Sequence, residues 1–363
     1  MVDPGIAADV GARARATCDS LGRWLEAIHW IWFSLLLLVV GVLRIGPLGI
    51  GPEWIGWLRD AASSFPSPSQ YLSSSIGPAL TMRGLGLPGD AVWWALGSLA
   101  WLLAFGGSVV VLSRHGRWGR LAAVALVLSP AFSVTVTMLG HYDLWLICGS
   151  AILVLVRWRL LAGLGAIVAC LGNPEQAVAA AIAIGLVALG LSDARLRNRA
   201  AFFLLLAVAW LAAIQVWVAM AGSGGRASAL VGLAGLSLLS FLGVWPLAVY
   251  AWLGGLWLPF GIALADVRTW GRRLLVAAGV VGVPALASVF TLDGTRVFVA
   301  VGAGALVAFG SHVLRRLRDV GPVSTGLLGA GFIALIVLPV VIVDTAGTIR
   351  LPYADLLRLI GVT

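Results

Sequence analysis

Residues 194–221 read ARLRNRAAFFLLLAVAWLAAIQVWVAMA, an arginine cluster followed by a long apolar run. A helix of about 20 apolar residues covers the ~30 Å hydrocarbon core of a bilayer. Similar runs recur along the chain of 363 residues, which is 61% hydrophobic and only 11% charged. This composition is typical of membrane proteins and excludes an ordinary soluble domain. We therefore expect an all-α fold, a polytopic bundle of transmembrane helices.

The apolar runs predict about eleven membrane spans in one membrane domain, residues 1–363. The expected spans are 28–48, 91–113, 121–140, 143–156, 160–172, 176–191, 200–221, 241–264, 274–290, 297–313 and 321–343. Two of them, 143–156 and 160–172, are short for a full crossing. Outside the spans we expect an N-terminal tail (1–27), one long outer loop (50–90) and a C-terminal tail (344–363).

The arginines predict the orientation. All 24 basic residues are arginine, and most of them cluster in alternate loops and in the N-terminal segment. Cytoplasmic loops of membrane proteins carry an excess of basic residues. We therefore expect the protein to lie in the cell (plasma) membrane, with its N-terminus in the cytoplasm and its C-terminus on the outer side. The net charge of +9 is thus a topology signal, and we expect membrane lipids rather than nucleic acid as partners.

Three clusters of ionisable residues lie at predicted outer ends of spans. They are His141 and Asp143 in TMLGHYDLWLICGS (137–150), Asn173 and Glu175 in LGNPEQA (171–177), and Asp293 and Arg296 in TLDGTR (291–296). Such groups are costly near hydrocarbon unless they share water, pair with each other or face a ligand. We therefore expect the clusters to converge on one cavity, together with Asp60 of the long outer loop.

The stretch 140–180, GHYDLWLICGSAILVLVRWRLLAGLGAIVACLGNPEQAVAA, carries a family resemblance. It resembles the membrane-embedded glycosyltransferases of the GT-C class, in which a Gly-x-x-Asp-like turn, a basic cytoplasmic turn, a short Leu-Ala-Gly-rich helix and an Asn-Pro or Lys-Pro turn follow one another. The long first outer loop and the expected number of spans are similar as well. The basic residue common in the Pro turn is missing here.

The resemblance implies transfer of a sugar from a polyprenyl-phosphate donor to a glycan or lipid acceptor, with a first-loop acid as the base. That acid falls on Asp60, or less favourably on Glu53, although Arg59 stands where the family often has a second acid. The residues expected to bind the donor are Arg59, His141, Asp143, Asn173, Glu175, Asp293 and Arg296. Independently of the resemblance, the guanidinium of Arg296 suits a pair of phosphate oxygens.

Some such enzymes use a divalent metal, but this sequence has no tight Asp-x-Asp motif, so we expect no cofactor and no metal. The sugar and the oligomeric state carry no sequence signal. Two alternatives stay open. A transporter or lipid flippase would also place charges in a cavity, although usually nearer the bilayer midplane. A non-catalytic membrane scaffold or an acyltransferase is the second alternative.

Overall fold

The structure is a computed structural model that describes residues 4–46, 53–63, 74–86, 89–220, 222, 226–291, 293–320, 325–343, 349–350, 353, 357–358 and 361. Helices dominate these ranges. They are α1 (Pro4–Ala27), α2 (Trp30–Ile45), α3 (Glu53–Ser63), α4 (Ile76–Gly84), α5 (Asp90–Trp101), α6 (Gly107–Ser113), α7 (Gly116–Leu128), α8 (Pro130–Thr137), α9 (Asp143–Leu155), α10 (Arg159–Gly172), α11 (Pro174–Leu191), α12 (Ala194–Met220), α13 (Arg226–Leu253), α14 (Trp257–Ala265), α15 (Trp270–Ala277), α16 (Val283–Val289), α17 (Gly294–Val320) and α18 (Thr325–Val337).

The described part of the chain has six helices long and apolar enough to cross a membrane, or seven if α7 and α8, bent by 52°, form one span. The six are Asp90–Ser113, Pro174–Leu191, Ala194–Met220, Val231–Ala265, Trp270–Val289 and Gly294–Arg316. Four shorter apolar helices are α2, α9, α10 and α18. The chain is thus a helical multi-pass membrane protein by length and composition. Each of the eleven expected spans overlaps one of these helices, but eleven crossings stay a prediction.

Several of the long spans are irregular. Single π-helical turns at Leu102–Gly106 and Ala278–Gly282 join α5 to α6 and α15 to α16. In α13 the backbone leaves helical geometry at Val244, two residues before Pro246. A proline interrupts the backbone hydrogen-bond ladder and clashes with the preceding turn, which accounts for that kink.

Helix α17 lies between two hydrophobic cores. One core contains residues of α9 to α15 and of α17, among them Phe203 and Phe298. The other contains residues of α1, α2, α5 to α9, α17 and α18, among them Phe132 and Val299. Successive α17 residues, Phe298 and Val299, thus face different cores, as the 100° step per helical residue requires. Of the six long spans, α17 has the largest buried share, 61%.

Helices α9 and α10 form a close antiparallel hairpin. A Cβ atom built on Gly149 would meet the backbone oxygen of Gly165, and one on Gly165 would meet the oxygen of Gly149. Small residues let membrane helices approach this closely. In a bilayer, such packing drives the association of helices, because the hydrophobic effect does not. The His141–Asp143 turn and the Asn173 turn lie at the same end of this hairpin.

The bundle has an arginine-rich end and an opposite end that carries the acids of the three clusters. At the arginine-rich end, Arg199 donates to the carbonyls of Leu153 (2.7 Å), in the last turn of α9, and of Val156 (2.5 Å), its C-cap. Arg120 likewise donates to carbonyls at the end of α1, those of Leu25 and Glu26 (2.9 Å), and to that of Ile28 just after it (2.8 Å). Cations at helix C-termini satisfy unpaired carbonyls and oppose the helix dipole. Which end faces the cytoplasm stays a prediction.

Both termini contain more structure than the expected tails. Residues 4–27 form helix α1, which packs against α18. A Cβ on Gly329 would meet the carbonyl of Cys18, and one on Gly22 the carbonyl of Thr325. In the C-terminal segment, Ile349–Arg350 pairs with Val340–Val341 as two antiparallel strands, β2 and β1. Residues 344–348 of the expected outer tail lie outside the described residues.

Candidate functional site

The turn between α8 and α9 brings His141, Tyr142 and Asp143 to the acid-bearing end. Gly140 has a φ of +80°, which L side chains rarely adopt. The backbone of Gly140 also leaves no room for a side chain at Gly97 of α5. Asp143 begins α9, where the helix dipole favours a carboxylate. Local backbone requirements therefore fix the direction in which the three side chains leave the turn.

Arg296, in the first turn of α17, lies at the centre of this end. Its Nη1 donates to the Tyr142 hydroxyl (3.1 Å) and to Asp143 Oδ2 (3.3 Å). Nη1 also lies 3.0 Å from His141 Nε2. Nη2 donates to Asp293 Oδ2 at 2.7 Å. We call these five residues, His141, Tyr142, Asp143, Asp293 and Arg296, the Arg296 cluster.

The Arg296 cluster is largely shielded from solvent. The side chains of Arg296 and Asp143 are 6% and 4% exposed, whereas that of Asp293 is 30% exposed. Charges at such depth are tolerated when they are paired and hydrogen-bonded. The arrangement joins α9 to α17 across 153 residues of sequence, so the cluster links these two helices at this end of the bundle.

His141 contacts Arg296 and Asp143 through its two ring nitrogens. Nε2 lies 3.0 Å from Arg296 Nη1. Nδ1 lies 3.1 Å from Asp143 Oδ2 and accepts from the backbone N–H of Asp143 at 3.3 Å. Burial lowers the pKa of His141 below its ordinary value; Asp143 opposes this shift and the charge of Arg296 adds to it.

Helix α3 of the long outer loop rests on the cluster. Ala61 is fully buried and packs against Tyr142, and Arg59 forms an ion pair with Asp90 at the start of α5. The neighbouring Asp60 is exposed. Contact with the cluster therefore positions the backbone of Asp60, while its carboxylate faces outward. Glu53 begins α3, and its side chain lies outside the described part of the structure.

Asn173 and Glu175 lie at the same end of the bundle but do not belong to the Arg296 cluster. Asn173 Oδ1 accepts from the backbone N–H of Gln176 (3.1 Å), which makes it the N-cap of α11. Glu175 Oε2 accepts from the hydroxyl of Ser74 (3.0 Å), just before α4. A Cβ on Gly172 would meet the carbonyl of Tyr142, so the two turns touch. Glu175 thus ties the outer loop to the start of α11.

The structure brings together four of the sequence-predicted residues, His141, Asp143, Asp293 and Arg296, by direct contact. Arg59 contacts Asp90 instead, and Asn173 has a local capping role. The predicted contact between Arg296 and a donor phosphate would have to compete with two carboxylates. Sequence reasoning missed Tyr142, although it lies inside the quoted turn and its hydroxyl is a natural arginine partner.

Among the described residues, no three His, Cys, Asp or Glu side chains are arranged to hold a metal ion. Comparisons with known proteins return no match: no protein family, no curated protein and no solved structure is significantly similar to the chain. Function is therefore argued from the geometry of this end of the bundle.

Proposed function

We propose that this protein is an integral membrane glycosyltransferase that moves a sugar from a polyprenyl-phosphate donor to a glycan or lipid acceptor on the outer side of the membrane. One observation carries the proposal: α3 presents the exposed Asp60 directly beside Ala61, which packs on the buried Arg296 cluster. A carboxylate on a rigid support, accessible to an acceptor, is what a general base requires.

The reaction balances with one base. Asp60 takes the proton of the acceptor hydroxyl, and the hydroxyl oxygen forms a bond to the anomeric carbon of the sugar. The bond between that carbon and the phosphate oxygen breaks, and the polyprenyl phosphate leaves with the electron pair. A cation near the phosphate stabilises the charge that develops on it. Asp60 retains the proton until it exchanges with water.

The remaining predicted residues organise this site. Arg59, through Asp90, and Ala61, through Tyr142, fix both sides of Asp60. The Arg296 cluster holds the ends of α9 and α17 together beneath α3. Glu53, seven positions before Asp60 on the same helix, is the second candidate for the base.

The proposal places eleven crossings in the cell membrane, with the N-terminus cytoplasmic and α3 outside. Single-cysteine labelling in a cysteine-free background tests this. Position 60 should react with an impermeant thiol reagent in intact cells, and position 197 only after permeabilisation. The reverse result at both positions would overturn the orientation and, with it, an outer-side reaction.

A transporter or lipid flippase is the second candidate, favoured by the 52° break between α7 and α8. Broken helices often line transport sites, where freed backbone groups meet the substrate. Wild-type protein in proteoliposomes, given a panel of polyprenyl-phosphate sugars and acceptors, separates the two functions. Release of polyprenyl phosphate with a new glycosidic bond supports transfer. Movement of an unchanged lipid-linked sugar across the bilayer, without turnover, would replace the transferase by a transporter.

A further inference from the structure

The turn between α9 and α10 and the start of α12 meet at the arginine-rich end of the bundle. Together they hold five arginines and one aspartate, in residues 156–160 and 192–199. Arg195 Nη2 donates to the carbonyl of Val156 (2.9 Å), and Arg199 Nη2 donates to that of Arg157 (3.0 Å). These hydrogen bonds hold α12 against the turn, so the arginines of the two segments lie side by side.

The positive charges of these arginines repel each other. Arg159 and Arg195 lie close enough to Arg199 for their charges to act on it, and the charge of Asp193 opposes theirs. Arg157 and Arg159 are exposed. A phosphate group would reduce this repulsion, and its oxygens would accept hydrogen bonds from guanidinium groups. We call Arg157, Arg159, Arg195 and Arg199 the α9–α10 patch.

Exposed apolar side chains adjoin the α9–α10 patch. Trp158, between the two exposed arginines, is 73% exposed, and tryptophan is typical of the level of the lipid headgroups. Leu160 and Leu164 are exposed on one face of α10, and Phe202 and Leu205 are exposed on α12. A molecule with an anionic head and apolar chains fits both parts of this surface, whereas a soluble acidic partner would meet only the arginines.

We propose that the α9–α10 patch binds the phosphate of an anionic phospholipid, in the leaflet at the arginine-rich end. Basic residues between helices at this level of a membrane protein bind phosphate headgroups. A zwitterionic headgroup would bring its own cation towards four guanidinium groups, so the patch should select a headgroup with net negative charge. The patch and Asp60 lie at opposite ends of the bundle, so the site does not depend on the proposed sugar transfer.

Native mass spectrometry of the purified protein, titrated with lipid in neutral detergent micelles, tests the site. The probes are phosphatidylglycerol and phosphatidylcholine with identical acyl chains, and the wild type should bind phosphatidylglycerol more tightly. Arg157→Gln combined with Arg159→Gln should raise the Kd of phosphatidylglycerol about 10- to 30-fold, the range expected for two arginines that face an anionic headgroup. Replacing both by lysine should weaken binding less, because the charge is kept.

The matched control combines Arg268→Gln with Arg272→Gln. These arginines are also exposed, and the backbone of Arg272 lies against Gly190 near the end of α11, at the same end of the bundle. The control removes as much charge from this end but leaves the α9–α10 patch intact, so its Kd should stay near the wild-type value. An equal loss in both double variants would overturn the site, because the attraction would then belong to the whole charged surface.

Three other outcomes would also overturn the proposal. Phosphatidylcholine that binds the wild type as tightly as phosphatidylglycerol would show that only the apolar chains are bound. An unchanged Kd in the Arg157→Gln, Arg159→Gln variant would exclude the patch; if that variant does not fold, Arg157→Gln alone replaces it, and an unchanged Kd has the same meaning. Polyglutamate that displaces phosphatidylglycerol from the patch and binds more tightly would replace the lipid by an acidic protein partner.

Discussion

Removing Arg296 should destabilise the fold far more than removing Arg59, a partly exposed arginine of the same end. Arg296→Gln leaves Asp143 buried at 4% exposure without its charged partner. Breaking a buried pair from one side costs about 3–5 kcal/mol of unfolding free energy. Arg59→Gln is the matched control. The Arg59–Asp90 pair has side chains 33% and 53% exposed, so water screens it and its loss should cost about 0–1 kcal/mol.

A double-mutant cycle shows whether the cost belongs to the pair. Asp143→Asn removes the charge that Arg296→Gln leaves uncompensated, so the double variant should be more stable than the sum of the single losses predicts, by at least about 1 kcal/mol. Unfolding in mixed micelles of increasing denaturing detergent, followed by tryptophan fluorescence, supplies the free energies. Equal losses for Arg296→Gln and Arg59→Gln, or additive losses in the cycle, would refute a buried, mutually compensating cluster.

Two further predictions follow from the local geometry. Because burial lowers the pKa of His141, the folded state binds a proton less readily than the unfolded chain, whose histidine titrates at about pH 6.5. The stability that His141 contributes should therefore be present above that pH and lost as the pH falls below it. His141→Gln should flatten the dependence in pH-resolved unfolding curves, while the exposed His115→Gln should not, and identical curves for both variants would contradict the assignment. Asn173→Ala should cost about 1 kcal/mol by loss of the α11 N-cap, and Asn173→Ser should retain most of it; equal unfolding midpoints for the two variants would remove the capping role.

The apolar segments were predictable from the sequence because each needs only local hydrophobicity over a span-length window. For that reason all eleven expected segments overlap helices, including the short α9 and α10. Helix α1, inside the expected N-terminal tail, is not predictable from hydrophobicity, because charged residues interrupt the face on which Cys18 and Gly22 contact α18. Tertiary packing, and not local sequence, decides that contact.

In the candidate site, too, some features were predictable from the sequence and others depend on tertiary packing. The cost of charges near hydrocarbon was enough to predict that Asp143 and Arg296 meet, although 153 positions separate them. The N-cap role of Asn173 depends only on local sequence, because the order Asn-Pro-Glu is typical of the start of a helix. Arg44, near the end of α2, donates to the carbonyl of Leu338, which lies 294 residues away, so no sequence window contains that contact.

The measurement that tests the central claim most directly compares sugar transfer by Asp60→Asn with transfer by the wild type. Asparagine keeps the size of the side chain and removes the proton acceptor, so kcat should fall by about 10²- to 10⁴-fold with an unchanged unfolding midpoint. Asp266→Asn, at an exposed aspartate near the arginine-rich end, should transfer at the wild-type rate. Transfer by Asp60→Asn at the wild-type rate would contradict the account, because the exposed carboxylate on α3 would then not be the base.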